Sequence, residues 1–160
     1  MSLTSLLTRL PLISHTLQEY RDRFATLAPA PRESLTGRFQ GEMVGPAWLR
    51  YGGPLLLSLL GMRGWWGKEF GADGRGVNLV RRREGLKPSV PVVLREGASR
   101  VDGRQGMQVE YPPEAPPQWR PFVDELRWED RDTLLAMSHL ELPLLKRWTL
   151  PFLLHRVSPA

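Results

Sequence analysis

From Leu35 onward the chain alternates apolar and polar residues in short runs, and glycine, proline or aspartate interrupts each run. A period of two sends successive side chains to opposite faces, so such runs build half-buried strands rather than helices. The spacing predicts strands near 36–43, 64–70, 76–83, 90–95, 106–111, 121–129, 133–140 and 150–157. The stretches between them, "GADGRG" (71–76), "REGLKPS" (83–89), "REGASRVDGRQG" (95–106), "YPPEAPPQ" (111–118) and "EDRD" (129–132), carry turn chemistry. About eight strands with regular turns argue for a mostly β chain folded as one antiparallel barrel or sandwich.

Two segments depart from this pattern. Residues 1–28 place Leu3, Leu6, Leu7, Leu10, Ile13, Leu17, Tyr20, Phe24 and Leu27 at steps of three and four, an amphipathic helical stripe. Pro11 should break it, and Ser14 could cap the second part. "APAPRES" (28–34) then reads as a linker. The expected organisation is a helical segment over 1–30 packed on a barrel domain over 35–160. The second departure, "GPAWLRYGGPLLLSLLG" (45–61), opens with Pro46 and is divided by Gly52-Gly53-Pro54. It should form two short helical turns that cover the open end of the barrel between its first two strands.

Composition narrows the setting. The chain has no cysteine, which excludes disulfides and thiolate chemistry. No run approaches about 18 apolar residues, the length a spanning helix needs, and the N-terminus lacks the pattern of a secretory signal. The expectation is therefore a cytoplasmic protein. The net charge is +5, carried almost wholly by arginines spread along the chain, with only Lys68, Lys87 and Lys146 as lysines. A nucleic-acid footprint would interleave clustered charge with stacking aromatics, so no nucleic-acid partner is expected. His15, His139 and His155 show no metal-ligand spacing, and GxSxG, P-loop and GxGxxG motifs are missing. Neither a metal nor a cofactor is expected.

Three motifs carry the remaining information. Gly37-Arg38-Phe39-Gln40-Gly41 sets one ring between two bare positions. Gly64-Trp65-Trp66-Gly67-Lys68-Glu69-Phe70 follows the helical insertion, and Val123-Asp124-Glu125-Leu126-Arg127-Trp128 opens a late hairpin. Together they resemble the bacterial GXWXG family and the domain of unassigned function that follows it in those proteins, with Phe39 where tryptophan is usual and Glu125 where histidine is usual. The resemblance implies a single calycin-like β-barrel, the architecture of lipocalins and fatty-acid-binding proteins. It also implies a structural floor in which Gly37, Phe39 and Gly41 close the bottom and Arg156 covers the Phe39 ring.

Candidate site residues follow from strand alternation. Trp66, Lys68 and Phe70 share one face; if it is internal, the ammonium needs a counter-charge or a ligand. Alternatively Trp65 faces the core and Lys68 is solvated. Arg82 shares a face with Val80 and Asn78 and could bind a carboxylate, unless the strand ends before Arg81 and the arginines meet water. Asp124 lies with Phe122, Leu126 and Trp128, a buried carboxylate able to pair with Arg82 or Lys68. His139 shares a face with Leu135 and Met137, as a hydrogen-bonded core residue or a ligand contact.

The resulting expectation is a binding barrel that takes an apolar or amphipathic, lipid-like small molecule, with or without a carboxylate, among Trp66, Lys68, Arg82, Tyr111, Asp124, Trp128 and His139, with no catalytic residue assigned. The alternatives are an isomerase- or cyclase-type enzyme using Asp124 or Glu125, and a protein whose leucine-rich helix or lid meets a membrane surface or a second copy.

Overall fold

The computed structural model describes residues 16–145 and 148–158. The apolar stripe before Thr16, the break at Pro11, the cap at Ser14, His15 and Lys146 lie outside the described residues. Eight strands follow in order: β1 (Gly37–Met43), β2 (Trp65–Phe70), β3 (Arg75–Arg82), β4 (Gly85–Ala98), β5 (Gln105–Glu110), β6 (Phe122–Trp128), β7 (Thr133–Leu140) and β8 (Thr149–Val157). Each pairs antiparallel with its neighbour in sequence, and β1 pairs with β8, so the sheet closes into a barrel.

One strand is much longer than its alternation suggests. β4 begins at Gly85, so most of "REGLKPS" is strand and the connection from β3 is tight. Pro88 and Pro91 hid this, because proline cannot donate to a ladder. They are tolerated since β4 pairs with β5 only from Val93 onward, leaving its first half an edge on that side.

Helix α1 (Leu17–Thr26) starts at a capping box: the Thr16 side chain accepts from the Glu19 N–H, and Glu19 reaches back to the Thr16 backbone. Its Tyr20 and Phe24 pack with Val44, Leu135, Met137 and Leu153 in a second apolar layer outside the barrel. Arg127 fastens this layer. It is buried, donates to the Phe24 carbonyl, lies 4.3 Å over the Phe24 ring and holds the Asp102 carboxylate with two bonds of 2.7 and 2.8 Å. "APAPRES" is more ordered than a linker: Pro29 bridges to Arg127, and Arg32–Leu35 form a 3-10 turn.

Helix α2 (Ala47–Leu59) corrects the expectation of two separate turns. It is one helix that runs through Pro54. The residue before a proline usually loses the α region because its Cβ meets the proline ring, and Gly53 has no Cβ. The same bare position is buried against β1, where a Cβ would stand 2.6 Å from Met43 Cε. No helix among the described residues is long and apolar enough to cross a membrane.

The barrel core runs from a floor to this lid. At the floor Phe39 is fully buried, with Phe70 and Trp128 at ring distances of 6.0 and 6.1 Å. The Arg156 guanidinium lies 4.9 Å over Phe39 and 5.2 Å over Trp128, and it donates to the Thr36 and Ser34 carbonyls. Gly37, at φ +128°, starts β1 beside that guanidinium. Gly41 serves a different purpose from closing the bottom: the Trp65 ring lies where its side chain would be.

Candidate functional site

One layer above Phe39, which pairs directly with Lys68 across β1 and β2, four polar side chains meet inside the barrel beneath helix α2. Lys68 Nζ lies 2.8 Å from Asn78 Oδ1, 3.2 Å from Tyr111 Oη and 3.3 Å from Asp124 Oδ2. Trp65 Nε1 donates to the same Asn78 oxygen at 3.0 Å, and the Asn78 amide donates to the Val90 carbonyl. The ammonium also sits over the Tyr111 and Trp65 rings, at 5.4 and 5.9 Å. Lys68, Asn78, Asp124 and Tyr111 are all buried.

The local cause is strand geometry. Lys68 pairs with Asn78 across β2 and β3, and residues opposite each other on antiparallel strands share a face. Asp124 comes from β6, where Phe122 and Leu126 face the same interior. Burial works against the ammonium, but Tyr111 and Asp124 outweigh it and hold the Lys68 pKa above its ordinary value. Burial is also what raises the Tyr111 hydroxyl, which therefore keeps its proton.

These groups border a cavity of about 80 Å³. Its remaining walls are apolar apart from Ser138, which pairs with Asp124 across β6 and β7: Met43, Met62, Trp119 and Phe152, with Leu57 of α2 and Leu60 at the end of that helix as the roof. Beyond the lid lies an open apolar groove of about 660 Å³, between α2 and the β7–β8 loop. Leu49, Gly53, Leu56 and Leu60 border both spaces, so α2 is the partition between them.

Lys68, Tyr111 and Asp124 are thus brought together, whereas the other sequence candidates lie elsewhere. Trp66 is displaced by a bulge: the register pairs Trp65 with Val80 and Gly67 with Leu79, leaving Trp66 opposite neither. The extra residue turns Trp65 inward alongside Lys68, an arrangement that uninterrupted alternation forbids. Arg82 is exposed at the end of β3 and donates to the Arg63 and Arg81 carbonyls. Trp128 belongs to the floor, where its indole donates to Ser34 Oγ at 2.8 Å.

His139 lies with the outer layer. Its Nδ1 is 3.1 Å from Thr149 Oγ1 and its Nε2 is 2.5 Å from Glu125 Oε2. Glu125 therefore faces away from the cavity. Burial opposes its ionisation, but His139, Ser99 and the Arg100 N–H together hold its pKa below the usual carboxylate value. Asn78, Trp65 and Trp119 were missed. Asn78 had a signal, as the single polar residue within "GVNLV" at the inward alternation.

Fold and site together define a closed eight-stranded antiparallel barrel with a lidded, mostly apolar cavity and one buried polar cluster. Among solved structures, the crystal structure of a protein from Thermomonospora curvata is similar, with a TM-score of 0.71, 22% identity and 97% of both chains covered. At that identity the likeness speaks for the fold. No family model and no curated protein matches the chain.

Proposed function

We propose that this protein binds an apolar small molecule bearing one neutral polar group, held beneath α2 with that group at the Lys68 cluster. The observation that carries the reading is a buried polar cluster in a cavity whose other walls, Ser138 apart, are apolar. An ammonium has three protons, and Asn78, Tyr111 and Asp124 already accept all three. A carboxylate would have to displace one of them and leave net negative charge in a dry interior. What remains for a ligand is the Tyr111 proton and the spare lone pairs of Asp124, a donor and an acceptor side by side. An alcohol or a primary amide satisfies both, so of the two options left open by the sequence the ligand without a carboxylate is favoured.

The cavity admits a few waters or a very small molecule as it stands. A ligand with a chain must displace the inner face of α2, which joins the cavity to the groove beyond it. A calycin-like barrel fits this reading, and a cysteine-free chain suits a cytoplasmic setting. The isomerase or cyclase alternative requires a free carboxylate in the cavity. Asp124 is taken up by Lys68, and Glu125 points to the outer layer.

The test is tryptophan-fluorescence titration with medium-chain alcohols, amides, carboxylates and alkanes of equal length, together with native mass spectrometry of the protein as purified. Trp65 and Trp119 line the cavity and report occupancy. The alcohol or amide should bind at least about tenfold more tightly than the carboxylate. Leu57→Trp, which fills the space under the lid, should abolish the response. No response to any member, or a response unchanged in that variant, overturns the reading.

A further inference from the structure

The end of the barrel that carries α2 exposes an unusual concentration of apolar side chains. Trp48, Tyr51, Leu55 and Leu59 recur at steps of three and four along the outer face of α2, and Tyr51 and Leu59 are each 77% exposed. Across the groove the β7–β8 loop adds Leu144, 94% exposed, and Trp148, 59% exposed. The large exposed hydrophobic side chains identified among the described residues all belong to these two segments. A patch of this kind marks an interaction surface.

Charge says what kind. Residues 45–67 and 142–154, which carry the patch, contain no aspartate or glutamate. The β3–β4 turn stands at the same end, since Arg82 donates to the Arg63 carbonyl and the Arg81 N–H to the Gly64 carbonyl. With 81–87 included, the described residues of these segments hold six basic side chains and one acidic one, a surplus equal to the chain's whole net charge of +5. Within 81–87, the "RRRE" run lies exposed beside the lid.

We propose that this face docks on an anionic lipid bilayer, with the α2 and β7–β8 apolar side chains inserted into the headgroup boundary and the surrounding arginines on the lipid phosphates. Exposed leucine and tryptophan ringed by cations, with almost no acid, is the chemistry of interfacial binding. A second copy is disfavoured because two such faces would bring like charges together. The docking stands on exposed residues alone and holds whether or not the cavity takes a ligand.

The experiment is flotation of the full chain with phosphatidylcholine vesicles, with and without phosphatidylglycerol, with molar mass measured in parallel. Binding should require phosphatidylglycerol, weaken as salt rises, and shift the emission of Trp48 and Trp148 to the blue. Leu59→Ser and Leu144→Ser should each weaken it about fivefold to tenfold, and Arg63→Glu about tenfold. Arg75→Glu, exposed at the floor end, should leave it within about twofold. These positions are exposed, so unchanged thermal midpoints will separate lost binding from lost folding. Absence of vesicle binding overturns the proposal. So does binding that survives both leucine replacements, which is mere charge adsorption, or a dimer that Leu59→Ser dissociates.

Discussion

The Trp65 ring occupies the space that a side chain at position 41 would fill. Gly41 on β1 is bare so that a tryptophan on β2 can lie across it, with its indole reaching Asn78 and its edge against Phe152 at 5.7 Å. The glycine of the first strand thereby places one wall of the cavity.

Gly41→Ala should consequently destabilise the fold by about 2–3 kcal/mol, the upper part of the range for overpacking a filled core. Denaturant midpoints measure this. In a Trp65→Leu background the cost should shrink, because the added methyl then has room, and the two changes should be less than additive.

Removing one member of the buried pair is worse than removing both. Asp124→Ala leaves Lys68 without its counter-charge inside the barrel and should cost about 3–5 kcal/mol. Lys68→Met with Asp124→Leu keeps the volume apolar and should cost well under half as much. Urea unfolding of the single and double variants decides this. In the double variant the preference for alcohols and amides over alkanes should also disappear.

Arg127 and Asp102 should produce a stability that fails in acid. The Arg127 hydrogen bonds outweigh burial and, with help from Arg104, hold the Asp102 carboxyl well below the usual carboxylate range. A depressed folded pKa stabilises above the unfolded value near 3.9 and loses that contribution as pH falls below it. At neutral pH Asp102→Asn should lose about 3 kcal/mol, the low end for an unpaired buried charge. The wild-type and variant midpoints should draw together progressively as pH falls from about 4 through the depressed folded pKa.

Tyr20 should act at the other extreme. Burial pushes its hydroxyl up to about 12, so the folded form holds the proton longer than the unfolded chain does. Stability present below about pH 10 should therefore decline between about pH 10 and 12, by something on the order of 2 kcal/mol. Tyr20→Phe should show a shallower decline over the same interval when unfolding is followed against pH.

How far the residues alone reveal this protein depends on whether local pattern or distant contact decides the feature. A period of two fixes which way a side chain points within a strand, and turn residues fix where strands stop. Eight strands, a helix between the first two and the inward setting of Asp124 were therefore legible. Lys68 was legible only as a conditional, because both alternatives satisfied the same alternation.

The features that went unread depend on partners far along the chain. The bulge at Trp65 and Gly67 exists because β3 lies opposite with one residue fewer, and it exchanges one tryptophan for the other. Two prolines in β4 are permitted only because no strand donates or accepts on that side of its first half. Pro54 continues a helix because Gly53 is bare and pressed onto Met43. Trp128 takes its partner from the floor, and His139, held by Glu125 and Thr149, borders the groove beyond the lid rather than the cavity. Periodicity is a property of neighbouring residues and survives in one dimension. Which strands face each other, what fills the space between them and which charges end up paired emerge only when the sheet closes.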